Sequence, residues 1–495
     1  MLTNFLVFDA GTGAGRADII NQKGDVISSA YSEWSYKKEV GIPGGYMYDP
    51  LELVNVLIDT GAQAVADSKV DPETIRAVAA TSLREGVIFI DKQGKELYLG
   101  PNFDERAAKE GEKLANDLGR ELYLTSGTYP PAYGYAARLN WFKNHRIKVY
   151  KRINKILTLG DWITWKLTGE LISEPSLASA SGIFDVSSRD WSWSLVDQLG
   201  IDVTWLPPIH CAGEQVGKLK NDIAERLGLT PETLVTIGGG DTQCSILGMG
   251  LVQHMQSGCV AGTTSPVQQL TDHPIFDVGI RTWTNCHTIP DIWCLESNAI
   301  VTGLAFRWIR DCLFKGLSYD RLNALIDNTP IGSHGTLAFL GAEIMNMSRY
   351  RASWTGGFLF PVPAEEIGLG DLARATLESN AYAIRGNIEQ IIEISNLPIH
   401  ELHLSGGQTA SKVGMKIFAD VLGIPLYIHG QHSGSIGTAI CAAVCAGVYG
   451  SISEAVDNMV HEPQTLESTP ENIHLYQEYY EKWRSHYHKI RNLNC

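Results

Sequence analysis

The sequence predicts an α/β protein built as two related lobes around a cleft. Strand-like apolar runs alternate with helix-period segments along its 495 residues, the pattern of mixed α/β layers. A glycine and hydroxyl turn near the start, Asp9-Ala10-Gly11-Thr12-Gly13, returns in weaker form near the middle as Gly262-Thr263-Thr264-Ser265. A repeated strand–turn–strand unit at the head of each half implies two similar lobes whose turns face each other. The boundary falls near residue 248, dividing the chain into 1–247 and 248–495. It is marked by the restart of the pattern, since no Pro- or Ser-rich run separates the halves.

The elements follow in order. Phe5 to Phe8 is a short apolar strand ending on Asp9, and Ala17 to Ile20 is a second strand before the turn Lys23-Gly24-Asp25. Leu51 to Ala66 has helical period, and Ile75 to Ala80 is a buried strand leading into Arg84-Glu85-Gly86. Leu234 to Ile237 is a strand that runs into Gly238-Gly239-Gly240. A helix then begins, with Asp241 as its candidate N-cap. In the second half, Val267 to Leu270 and Glu401 to Leu404 are strands, and Val413 to Leu422 is a helix. The segment Tyr476 to Ile490 is aromatic and charged at helical spacing and is expected to pack back on the body.

Composition excludes several classes. The apolar fraction of 44% and charged fraction of 19% are those of a globular protein. A net charge of −15 leaves no broad basic face for nucleic acid. The N-terminal apolar run is too short for a secretory signal, and no stretch is long enough to cross a bilayer. The cysteines form no Cys-x-x-Cys pair, so neither a disulfide framework nor a zinc site is indicated. Cys441 and Cys445 fit small buried apolar positions in an Ala-rich helix. A cytoplasmic location is expected. Trp162, Trp165, Trp191 and Trp193 are expected to serve core and lid packing.

Four constellations are able to carry chemistry. In Asp9-Ala10-Gly11-Thr12-Gly13-Ala14-Gly15-Arg16, backbone N–H groups of a glycine turn can converge on one anion. Asp9 could hold a magnesium ion there; a plain hairpin is the bland alternative. Arg16 stands where a dinucleotide fingerprint needs glycine, which excludes that motif. In Gly238-Gly239-Gly240-Asp241-Thr242, the acid is either a helix cap or a general base that accepts a hydroxyl proton. In Ser405-Gly406-Gly407-Gln408-Thr409-Ala410-Ser411, a glycine turn into a helix suits a nucleotide, although tight strand-to-helix turns are common. Arg84 and Glu85, with Asn102, Asp104 and Arg106, offer the paired donors and acceptors that a sugar requires, though any single one fits a surface ion pair.

Taken in order, these motifs resemble the FGGY carbohydrate kinases of the actin–hexokinase–Hsp70 superfold, over nearly the whole chain. The match rests on Asp-x-Gly-Thr at 9 to 12, Gly-Gly-Asp ending at Asp241, Gly-Thr-Thr at 262 to 264 and Gly-Gly-Gln at 406 to 408. Asp161-Trp162, Leu167-Thr168-Gly169 and Trp308-Ile309-Arg310-Asp311 are smaller matches. The resemblance implies a two-domain actin-like ATPase (ribonuclease H-like) fold with an interdomain cleft, using ATP and Mg²⁺. It implies Asp241 as catalytic base and Asp9 with Asp241 as metal-positioning groups. Gly11, Thr12, Gly13, Arg16, Gly262, Thr263 and Thr264 would meet the phosphates. Gly303, Gly406, Gly407, Gln408 and Ser411 would complete the nucleotide site. Arg84, Glu85, Asn102, Asp104, Tyr133, Asp241 and Thr242 would meet the substrate.

Within the family, Arg84-Glu85 is similar to the Arg-Glu pair of glycerol kinases, and xylulokinases have Met-His-Gly at that site. Arg84-Glu85-Gly86 and Asn102 to Glu110, with Ser188 to Trp191 and Thr302 to Trp308, look most like the autoinducer-2 kinase branch, which phosphorylates a linear five-carbon polyhydroxy ketone. Arg138, Ala342-Glu343-Ile344 and Ser265-Pro266 depart from the usual family residues and bear on the substrate. A xylulose, ketose or polyol kinase is the alternative within the class. A non-catalytic sugar or nucleotide sensor, and an ATPase acting on a protein, are alternatives from other classes. The expected partner is a small sugar-like molecule, with no nucleic acid and no membrane; a homodimer is the one macromolecular option.

Overall fold

A computed structural model describes residues 2–350, 355–362 and 366–493. The first lobe is built on a sheet of β1 (Asn4–Ala10), β2 (Ala14–Asn21), β3 (Val26–Glu33), β4 (Ile75–Ser82), β5 (Gly217–Lys218) and β6 (Leu234–Gly240). Its spatial order is β5-β6-β4-β1-β2-β3. The second lobe is built on β7 (Ser257–Val260), β8 (Pro266–Thr271), β9 (Trp283–Cys286), β10 (Trp293–Asn298), β11 (Leu402–Ser405), β12 (Leu426–Ile428) and β13 (Gln464–Leu466). They lie in the order β9-β10-β8-β7-β11-β12-β13.

The two sheets repeat one pattern of direction. From β3 to β5 the neighbours run antiparallel, antiparallel, parallel, parallel, antiparallel. From β10 to β13 the same sequence recurs. The first glycine turn joins β1 to β2 and the second joins β7 to β8, so the two occupy equivalent places. The repeat expected from the sequence is therefore a repeat of topology. The central strands β1 and β4 are buried over nearly their whole length, as strands covered on both faces must be.

Two helices cross between the lobes. α1 (Pro50–Ser68) starts on an Asp49 cap and lays Leu53, Leu57, Ala64 and Val65 against the first sheet. α2 (Asp241–Gly248) leaves β6, and its Ile246 packs with Leu270 and Cys294 of the second sheet. α5 (Ser433–Cys445) belongs to the second half, yet its Ala439 to Ala443 run packs on Phe5, Val7, Ala77 and Ala79 of the first sheet. α2 and α5 touch through backbone: a Cβ on Gly248 would lie 1.8 Å from the Ser433 carbonyl oxygen, and one on Gly437 1.9 Å from that of Cys244. Side-chain-free crossing positions let each lobe borrow a helix from the other half of the sequence. The remaining helices named here are α3 (Gly303–Leu313), α4 (Leu369–Ser395) and α6 (Pro470–Asn492).

α6 does pack back on the body. Tyr476, Tyr480, Trp483 and Tyr487 form its buried stripe, and the Trp483 indole donates to Ala338 O at 3.2 Å and Ser379 Oγ at 3.1 Å. Trp162 and Trp191 are core residues. Trp193 departs from the packing role expected of it: it opens the first turn of a short helix, Trp193–Gln198, and is 50% exposed.

Candidate active site

Asp9 and Asp241 both stand at strand ends of the first sheet. Asp9 is the penultimate residue of β1, paired across the ladder with Arg16. Asp241 follows β6, whose register with β4 shifts between Ile237 and Gly239, a bulge that re-aims the strand end. Gly239 has φ of +115°, and a Cβ there would stand 2.6 Å from Ser176 Oγ and 3.0 Å from Glu174 Oε2. Only glycine satisfies both demands. The strand runs through all three glycines to Gly240, further than the apolar run predicts.

The helix cap is Gly240, and Asp241 is the first residue inside α2. The cap alternative is thereby corrected: the Asp241 carboxylate does not receive the second or third amide of a turn it caps. Asp241 Oδ1 instead accepts from the Thr242 amide at 2.7 Å and the Thr242 hydroxyl at 3.2 Å. Thr242 is buried and engaged in holding that oxygen. Behind it, Ser176 Oγ accepts from the Gly240 amide at 2.9 Å and donates to Glu174 Oε2 at 2.5 Å. Burial pushes Glu174 up to about 7.

Electrostatics tie the acids together. Burial first, then the Asp241 carboxylate, push Asp9 from 3.8 up to about 7, against the pull of Arg16. Burial also raises Asp241, with Arg84 opposing and Glu296 adding to the rise. Glu85 is raised by burial and by Asp241 and Glu296, with Arg84 opposing. Asp241 thus raises both Asp9 and Glu85, and like charge gathered at half-buried positions is relieved by a cation placed beside it. Two carboxylate donors with open coordination suit a hard divalent cation completed by water and phosphate oxygens, so Mg²⁺ fits. Among the described residues, no group of three or more metal-binding side chains forms.

The turn at Gly11, Thr12 and Gly13 is fixed from behind. The Thr12 carbonyl accepts from Tyr48 Oη at 2.6 Å and Trp34 Nε1 at 3.3 Å, and Thr12 Oγ1 donates to Asn102 Oδ1 at 3.3 Å. The second turn is knit to two other segments. Gln408 Nε2 donates to Gly262 O at 2.8 Å, and the Gln408 amide donates to Ala261 O at 2.9 Å. The Leu304 amide donates to Thr263 O at 3.2 Å. A Cβ on Gly303 would stand 2.2 Å from Gly262 O. Thr263, Thr264 and Gly407 are exposed beside this knot. Gly303, Gly406 and Gln408 thus lie against the second turn, with the Gln408 amide nitrogen engaged on it. Ser411 caps the helix Lys412–Leu422 by accepting from the Gly414 amide at 3.1 Å, and donates to Asn323 Oδ1 at 2.8 Å.

The expected sugar-facing set divides. Arg84 is 7% exposed and forms a bidentate pair with Glu296, at 2.7 and 3.0 Å. Glu85 Oε1 lies 3.9 Å from Arg84 Nε and keeps partial exposure. Tyr133 donates to Tyr350 Oη at 3.3 Å, joining the two halves of the chain. Asp104 is the correction. It is fully buried and accepts from the Tyr46 amide at 3.1 Å, Arg106 Nε at 2.6 Å, Arg138 Nη1 at 2.5 Å and the Tyr98 hydroxyl. Its charge is neutralised inside the first lobe, where it anchors the Asn102 segment and leaves no oxygen for a ligand. Arg106 is likewise engaged on Glu39 at 3.0 Å and on Tyr46 O at 2.9 Å. Sequence reasoning missed Glu296, Gln268, Glu174, Ser176 and Tyr350, which carry no local motif.

Known proteins match the chain over nearly its whole length. The family model "FGGY family of carbohydrate kinases, N-terminal domain" matches residues 4–248, and its C-terminal counterpart matches residues 258–446. An autoinducer-2 kinase of Escherichia coli O9:H4 is 30% identical over 498 residues, covering 97% of this chain and 93% of the relative. The ligand-bound xylulose kinase of Lactobacillus acidophilus superposes with a TM-score of 0.89 at 18% identity, covering 99% of each chain. The Plasmodium falciparum glycerol kinase with ADP gives 0.84 at 17% identity, covering 98% of each. With duplicated sheets, paired glycine turns and family models spanning both halves, the chain belongs to the FGGY family of carbohydrate kinases.

Proposed function

We propose that the chain transfers the γ-phosphate of ATP to a hydroxyl of a linear five-carbon polyhydroxy ketone, autoinducer-2 in its 4,5-dihydroxy-2,3-pentanedione form. The observation that carries this reading is the placement of Asp9, Asp241 and Glu85, half-buried acids of which Asp241 raises the other two, with Arg84 opposing the rise of Asp241 and Glu85. It sets a metal-suited carboxylate and a base beside a polar pair suited to hydroxyl groups. The substrate choice leans on the relative named autoinducer-2 kinase at 30% identity. Xylulose and glycerol, named for the structural neighbours, define the alternative acceptors.

In this reading Asp241 accepts the acceptor's hydroxyl proton as the oxygen attacks the γ-phosphorus. The new O–P bond forms while the bond to the β-phosphate oxygen breaks, releasing ADP. Such transfer needs alignment and charge neutralisation more than covalent chemistry. Thr242 fixes one carboxylate oxygen, leaving the other for the proton. Gly11 to Gly13 with Arg16, and Gly262 to Thr264, hold phosphate oxygens from opposite lobes, and Gly406 to Gln408 meet the nucleoside side. Mg²⁺ held by Asp9 and Asp241 would supply charge neutralisation of the phosphates. Glu85, Asn102 and Tyr133 meet the acceptor. We place the domain boundary near residue 248, with the crossing helices α2 and α5 as the hinge. The proposal includes a cytoplasmic setting, in keeping with eight free cysteines among the described residues.

A coupled ADP-release screen over pentuloses, hexuloses, polyols and 4,5-dihydroxy-2,3-pentanedione tests this. The highest kcat/KM is expected for the last. A preference for xylulose or glycerol replaces the substrate, and no stimulation by any acceptor favours a sensor.

A further inference from the structure

The arginine of the first lobe is gripped by a row of residues laid across the second sheet. Glu296 on β10 has Gln268 on β8 and Trp283 on β9 as its ladder partners on either side. Glu296 is fully buried, and its two oxygens take Arg84 Nη1 at 2.7 Å and Nη2 at 3.0 Å. Gln268 Nε2 donates to the same Glu296 at 2.6 Å, and the Arg84 guanidinium lies 5.5 Å from the Trp283 ring centroid. A Cβ on Gly240 would lie 3.0 Å from Arg84 Cγ, so the arginine stem runs beside the residue that precedes Asp241.

We propose that Glu296 is a positioning residue for the acceptor, acting through Arg84 from the opposite lobe; this rests on the kinase reading given above. A guanidinium has five N–H donors in a fixed fork. Glu296 takes two of them and thereby orients the rest, one being the Nε that faces Glu85 at 3.9 Å. The same contact locks the loop after β4 onto the second sheet, so the Glu85–Asp241 spacing depends on both lobes. Planar bidentate pairing fixes direction as well as charge, which a single lysine-like contact does not. Arg84 therefore contributes to acceptor recognition in an orientation set by residues 212 positions away in sequence.

The test is a double-mutant cycle on full-length protein with Glu296→Gln and Arg84→Met, alone and combined. Glu296→Gln is expected to raise acceptor KM about tenfold or more and leave the KM for ATP within about twofold. In the Arg84→Met background the same change is expected to have no further effect, because Glu296 acts only through the arginine. Glu296→Asp, which restores the charge, is expected to recover part of the loss. Unchanged acceptor KM in Glu296→Gln, or full additivity with Arg84→Met, overturns the proposal. If Glu296→Gln does not fold, Arg84→Met/Glu296→Leu removes both charges. It should then match Arg84→Met alone in acceptor KM, and a further loss counts against the proposal. Should the wild type phosphorylate no acceptor, the kinase reading fails by itself. Hydrogen exchange of peptides covering 81–86 and 293–298 then reads the clamp, faster exchange in both single variants supporting it and unchanged exchange overturning it.

Discussion

Replacing Asp241 by Asn should impair turnover and stabilise the fold at the same time, with a pH signature. Asn keeps an oxygen for the Thr242 amide, now 2.7 Å from Oδ1, so the local hydrogen bond survives. The variant loses the proton acceptor, worth about 10²–10⁴ in rate for a general base, or about 3–5 kcal/mol of barrier. It also removes one charge from the acid group. Asp9 rises from 3.8 to about 7, with burial the larger cause and Asp241 the second. That shift corresponds to roughly 4 kcal/mol at most, and less for a group that keeps partial exposure to the cleft. Asp241 contributes the smaller share of that, and its removal relieves its own burial against the loss of its attraction to Arg84, which leaves a net gain in stability below that bound. An acid whose pKa is raised by folding destabilises the fold once pH exceeds its unfolded value, and fully so above its folded one. The gain should therefore be present at pH 8 and fade towards pH 4. Paired measurements of ADP release and thermal unfolding at the two pH values read both effects, and nucleotide binding by calorimetry should be retained. Wild-type turnover would refute the base. A destabilisation equal at both pH values would make Asp241 a structural hydrogen-bonding group.

Other predictions follow from the same geometry. Without acceptor present, Mg²⁺-ATP affinity should rise with pH through about 7 as Asp9 ionises, and Asp9→Asn should flatten that rise in a titration of Mg²⁺ at fixed ATP. Gly303→Ala places a methyl 2.2 Å from Gly262 O; overpacking of this kind costs about 1–3 kcal/mol, and the KM for ATP should rise while acceptor KM changes little. Ser176→Ala leaves the Gly240 amide, now paired at 2.9 Å, without its acceptor, at a cost of about 1–3 kcal/mol. It should lower kcat more than either KM. Trp483→Ala empties the buried stripe of α6 and should destabilise by about 3–5 kcal/mol, with little change in kcat for the protein that remains folded.

Much of the site is legible because its chemistry is local. Asp9 with Gly11 to Gly13 sits on a strand end and a tight turn that the structure builds, and Gly238 to Asp241 is a strand end leading straight into a helix, its glycines serving close approach rather than a turn. Helical spacing of its aromatic residues is equally informative about the buried stripe of α6. What escapes is long-range. Glu296 lies in the middle of a β-strand, Trp-Cys-Leu-Glu-Ser-Asn, where an acid has no meaning until Arg84 arrives from the other lobe. Asp104 and Arg106 look sugar-facing beside Asn102, but Tyr98 and Arg138 close over them from other elements. The exchange of α2 and α5 between the sheets is invisible for the same reason: each helix is buried around most of its circumference, polar residues included, so its pattern does not say which sheet it covers.

The central claim is that one nucleotide is held by glycine turns from both lobes while Asp241 faces the acceptor alcohol. A crystal structure with a non-hydrolysable ATP analogue, Mg²⁺ and the preferred acceptor tests it most directly. The account predicts phosphate oxygens within hydrogen-bond distance of amides in both 11–13 and 262–264, and the Asp241 carboxylate against an acceptor hydroxyl. A triphosphate touching only one turn, or an Asp241 carboxylate directed away from the acceptor, would contradict it.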